Sequence, residues 1–132
     1  MDGHGDLRPQ HIFLTSKPVI IDCLEFNQDL RRQDPADEIA FLAMECERLG
    51  QREAARKILS VYFLASGDRP QQELLYFYAS FRALHRARIK ILNLEYTTSH
   101  PLRKILSDIH SYLKISLGFA RELGNMLSLR NS

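Results

Sequence analysis

His4-Gly5-Asp6-Leu7, near the start of the chain, and Asp22, sixteen residues beyond Asp6, are the side chains best placed for chemistry. A carboxylate carried on a loop orients and deprotonates an attacking hydroxyl. A second, at the end of a strand, holds the magnesium that bridges nucleotide phosphates. Phosphoryl transfer uses both.

The local sequence predicts that the two aspartates meet. His11-Ile12-Phe13-Leu14 is apolar and strand-prone, Thr15-Ser16-Lys17-Pro18 is a turn cluster, and Val19-Ile20-Ile21 is a second β-branched run. Pro9 removes a backbone donor and disfavours helix at the residue before it, which predicts loop over Arg8 to Gln10. Asp6 then enters strand one and Asp22 leaves strand two. A hairpin over 11–22 brings those outer ends together.

His4-Gly5-Asp6-Leu7-Arg8-Pro9-Gln10-His11-Ile12, followed by Val19-Ile20-Ile21-Asp22-Cys23-Leu24-Glu25-Phe26-Asn27, resembles the C-terminal lobe of aminoglycoside phosphotransferase-like proteins. These belong with choline kinases to the protein-kinase-like superfamily. The likeness is greatest to a bacterial branch of uncharacterised phosphotransferase-like proteins, some fused to a separate ATP-binding domain. It continues through Asp34-Pro35-Ala36-Asp37-Glu38-Ile39-Ala40-Phe41-Leu42 and, more loosely, through the basic helix around Arg82 to Lys90. The resemblance implies that Asp6 is the catalytic base and Asp22 the metal-binding aspartate. It implies that Asp37 supports the catalytic loop by accepting backbone hydrogen bonds, and that His4 packs and hydrogen-bonds there. Magnesium and ATP are the implied cofactors.

One position departs from the family pattern, which has asparagine five residues after the base as a second metal ligand; here it is His11. Magnesium prefers hard oxygen ligands, and imidazole suits zinc, copper, iron or nickel. Either His11 points elsewhere or the second metal position is weakened or altered.

The chain has 132 residues and is 45% hydrophobic, enough for one small domain over 1–132 with a real core. No apolar run approaches the ~18 residues of a membrane span, and the polar, acidic N-terminus does not read as an export signal. Cys23 and Cys46 lack metal spacing and read as reduced cytoplasmic thiols, with Cys46 on a buried helix face. Charge is uneven. Residues 1–50 carry five basic and ten acidic side chains, and residues 51–132 thirteen and six, within an overall net of +2. The basic half lacks the dense, aromatic-interleaved stripe of nucleic-acid modules, so no nucleic-acid partner is expected.

From residue 34 to about 128 the pattern is helical, after an irregular segment over Asn27 to Gln33. Asp34 and Pro35 predict a helix start, and Gly50 its stop, with Ile39, Leu42, Cys46 and Leu49 inward. A second helix over about 52–65 turns Ala55, Ile58, Leu59 and Tyr62 inward and stops at Gly67. A third, about 70–94, packs through Leu74, Phe77, Tyr78, Phe81, Leu84 and Ile91. Ser99 and Pro101 open a fourth, to about Leu127, with Leu102, Ile105, Ile109, Leu113, Ser116, Ala120 and Leu123 inward. Arg82, Arg86 and Lys90 form a basic stripe read as solvated. His85, His100 and His110 read as surface or capping residues, and Tyr76, Phe77 and Tyr78 as core and rim.

The expectation is a mainly α fold, with a short N-terminal β-hairpin followed by a bundle of about four helices. This is a kinase-like C-lobe without the N-lobe that carries the phosphate-covering loop and the phosphate-pairing lysine. The expected function is the C-lobe of an ATP-dependent phosphotransferase acting on a small-molecule hydroxyl, inactive as this chain alone, with weak or absent nucleotide binding. The alternative is a non-catalytic helical binding or assembly module derived from the same fold. An uncovered hairpin edge further predicts self-association or a partner lobe.

Overall fold

The computed structural model describes residues 3–23, 34–96 and 101–131. The predicted irregular segment over 27–33, the motif residues Leu24 to Asn27, the fourth helix's start at Ser99, and His100 lie outside the described residues. The chain forms two compact units, 1–70 and 71–132.

In the first unit Arg8 is extended, as a residue before proline should be, and Pro9 opens a 3-10 turn, Pro9–His11. Loop was expected there. Pro9 instead lends its fixed φ to the first position of the turn. The hairpin follows as β1 (Ile12–Phe13) and β2 (Val19–Ile20), paired antiparallel with Ile12 opposite Ile20 and Phe13 opposite Val19. The Ile21 N–H donates to the His11 carbonyl at 3.0 Å, extending the ladder toward the open end. So short a hairpin needs anchorage. It comes from the next element, α1 (Pro35–Arg48). Its Glu38 Oε1 accepts the Gly5 N–H at 2.7 Å.

Asp34 caps α1 by accepting the Ala36 N–H at 2.9 Å, with Pro35 at the first helical position. The helix ends where Gly50, at φ +80°, lets its N–H reach Glu47 O and the Gln51 N–H reach Cys46 O. These are the paired bonds of a Schellman cap. Helix α2 (Arg52–Ser66) then stops at the left-handed Gly67. Ala43, Cys46 and Ala55 form a buried cluster with Ile58 and Leu59 against it. Two placements change. Leu49 is exposed, because it caps α1 instead of continuing its face. Glu45 is fully buried, and its charge is met by Arg48 at 3.0 Å.

The second unit is a helical pair, α3 (Gln72–Leu92) and α4 (Leu102–Arg130), with a 3-10 turn over Leu94–Tyr96 after the first. The pair runs antiparallel. Glu73 at one end of α3 meets Arg130 at 2.9 Å, and Lys90 at the other meets Asp108 at 3.0 Å. On α3 the seam is lined mainly by alanines. Leu75, Ala79, Ala83 and Ala87 are the buried positions of α3, and Ile109, Tyr112 and Ser116 those of α4. Ser80 and Ser116 each donate a hydroxyl to the other's carbonyl, at 3.0 and 2.9 Å.

This corrects the predicted stripes. Leu74, Phe77, Phe81, Leu84 and Ile91 on α3, and Leu102 and Leu113 on α4, are exposed, as is Ala120. Alanine every four residues lets two backbones approach closely, and larger side chains are displaced to the flanks. The basic stripe is also less solvated than expected. Arg82, Arg86 and Lys90 are half-buried. His85 and His110 are exposed, in keeping with surface residues. No helix among the described residues is long and apolar enough to cross a membrane.

Candidate functional site

The site is built at the open end of the hairpin. His4 lies in the loop before it, and its Nε2 is 2.6 Å from the Ile21 carbonyl. A carbonyl only accepts, so Nε2 carries the proton and Nδ1 is left to accept the Asp6 N–H, a long 3.4 Å contact. One neutral imidazole thus joins the Asp6 loop to the strand that delivers Asp22. Gly5, at φ +86°, makes the turn between them.

His11 mirrors this arrangement. Its Nδ1 is 2.9 Å from the Asp6 carbonyl and must donate. Its Nε2 lies 3.1 Å from Arg8 Nη2, a donor only, and 3.3 Å from Asp22 Oδ2. While Arg8 donates to it, Nε2 holds a lone pair, and the bond to Asp22 is not made. His11 is buried, and its ring stacks on His4 with centroids 5.6 Å apart.

The two carboxylates differ in setting. Asp6 Oδ2 is 2.8 Å from Arg8 Nη2, with the Asp6 side chain 22% exposed. The Asp22 side chain is 70% exposed. Its backbone lies in the left-handed region at φ +64°, which aspartate tolerates better than most residues. Among the described residues no group of three or more His, Cys, Asp or Glu side chains gathers as a metal cage.

Asp6, His11, Asp22 and His4 therefore come together. Asp37 lies in the first turn of α1, and its neighbour Glu38 accepts the Gly5 N–H of the loop through its side chain. Glu38 also packs so tightly on Gly3 that a Cβ there would lie 2.8 Å from its carboxylate. Glu38 and Arg8 complete the site without being singled out by the motif. For Arg8 the signal is a cation two residues beyond Asp6, and Glu38, thirty-three residues from Gly5, has none nearby.

Uncharacterised proteins of Mycobacterium tuberculosis and Mycobacterium bovis are 42% identical to the chain over 91 residues, covering 68% of this chain and 18% of theirs. The chain thus spans about a fifth of the length of the curated relatives it matches. No family model matches it, and no solved structure does. The chain is a homologue of one part of these longer mycobacterial proteins.

Proposed function

We propose that the first unit carries the catalytic-loop and metal-binding half of a phosphotransferase site, acting on a hydroxyl of a small molecule with a nucleotide as donor. The observation that carries this reading is the His4 bridge, which ties the Asp6 loop to the strand end bearing Asp22. Asp6 is the base; its carboxylate is partly open to an incoming hydroxyl and paired with Arg8. His4 and Glu38 position its loop through backbone bonds.

The donor set fits one magnesium ion and not a caged pair. Asp22 offers an exposed carboxylate, whereas the free lone pair of His11 is engaged by Arg8. Magnesium is commonly held by one or two carboxylates, with phosphate and water completing its shell. When bound it supplies neutralisation of phosphoryl charge. The two unbridged thiols suit a cytoplasmic setting.

The grip of Arg8 on Asp6 favours a second reading, a non-catalytic module that retains the architecture for binding or assembly. One experiment separates the two. Mn2+ added to 15N-labelled chain should broaden the Ile21, Asp22 and Cys23 amides, and Asp22→Asn should abolish that effect. At millimolar ATP, Mn2+ should carry the nucleotide to the same end of the hairpin, and Asp22→Asn should abolish the resulting amide shifts. Mn2+ broadening unaffected by Asp22→Asn, or no ATP-dependent shift in the wild type, overturns the phosphotransferase reading.

A further inference from the structure

Arg8 sits inside the acidic cluster, not at its rim. Its Nη2 is 2.8 Å from Asp6 Oδ2 and 3.1 Å from His11 Nε2, and that nitrogen is 3.3 Å from Asp22 Oδ2. The Arg8 side chain is only 16% exposed, and its Nε is buried without a hydrogen-bond partner. Leaving a buried donor unspent is unfavourable. Its contacts to Asp6 and His11 hold it there, and a guanidinium cannot lose its proton. His11 contributes by pointing its lone pair at Arg8, which leaves no ligand for a metal at that position.

We propose that Arg8 is a built-in cation filling the place between Asp6 and His11, so that the site admits a single divalent ion, at Asp22. This rests on the reading of Asp22 as the metal ligand. A second ion at His11 would have to strip the guanidinium from the imidazole and then face its positive charge at close range, where Coulomb repulsion is strong.

Mn2+ titration of the full chain without nucleotide, followed by electron paramagnetic resonance, tests this. The wild type should take up one ion weakly. Arg8→Gln should either bind it about tenfold more tightly or admit a second ion. Arg8→Lys, which keeps the charge, should behave as the wild type. In Arg8→Ala, millimolar guanidinium should weaken Mn2+ binding back toward the wild-type level. Circular dichroism and the amide spectrum confirm folding of each variant. Arg8→Gln titrating like the wild type overturns the proposal, as does Arg8→Lys tightening the site as much as Arg8→Gln. The Asp22 reading fails separately: Asp22→Asn would leave wild-type Mn2+ binding intact, while the double variant Arg8→Gln/Asp22→Asn would still report on the Asp6–His11 position.

Discussion

His4 donates through Nε2 to the carbonyl of Ile21 at 2.6 Å, seventeen residues away, and this bond fixes the Asp6 loop against the strand end that presents Asp22. His4→Ala removes it together with the weaker contact from the Asp6 N–H. The expected cost is about 1 kcal/mol. It should appear in urea unfolding, with faster hydrogen exchange at the Asp6 amide. Unchanged exchange there would show that the loop is held by other contacts.

Glu38 is the helix's grip on the same loop. Glu38→Ala leaves the partly buried Gly5 N–H without its acceptor and should lower stability by about 1–3 kcal/mol. Glu38→Gln keeps a carbonyl acceptor and should lose less. Equal losses in the two variants would assign the effect to charge and not to the hydrogen bond.

In the second unit the alanines of α3 set its spacing from α4. Ala83 is fully buried. Ala83→Leu should overpack the seam and destabilise by about 1–3 kcal/mol. Leu84→Ala, one residue along and exposed, should be nearly neutral. Thermal unfolding by circular dichroism distinguishes them, and the reverse ranking would refute the assignment of the buried face.

Tyr62 donates to Asp68 Oδ2 at 2.8 Å. Burial, with the hydrogen bond and charge of Asp68, pushes its phenol up from an ordinary 10.0 to about 12. Because the folded value is the higher one, the stabilisation is complete below pH ~10 and is lost as pH rises toward ~12. The difference in absorbance near 295 nm between the wild type and Tyr62→Phe should therefore show a midpoint near 12. A midpoint at the ordinary value would mean that the Asp68 bond does not persist in solution.

Burial, with a smaller contribution from the charge of Glu45, raises the thiol pKa of Cys46. The native chain should thus alkylate at half-buried Cys23 first, and at Cys46 only on unfolding. The raised folded value also means that this group's share of stability is complete below pH ~9 and declines above it. Mass spectrometry of iodoacetamide-treated chain at pH 8, with and without urea, reads the order directly. Rapid native labelling of Cys46 would contradict it.

Local chemistry dictated a good deal of this protein. Asp34-Pro35 could only start a helix well, Gly50 and Gly67 supplied the left-handed stops, and the turn cluster between two β-branched runs made the hairpin. That Asp6 and Asp22 lie toward one end of the hairpin is legible from strand direction, but what joins them is a chain of contacts through Arg8 and His11. Other features depend on partners distant in sequence. Which face of α3 is buried was decided by how closely α4 approaches, which favours Ala79, Ala83 and Ala87 over the larger Phe77 and Phe81. The bond from Glu38 to Gly5 spans thirty-three residues and has no local signature. The placement of Arg8 between Asp6 and His11 arises because the 3-10 turn at Pro9 folds His11 back toward the loop. Periodicity and capping act within a few residues, whereas charge pairing and close packing are settled only when separate segments compete for the same space.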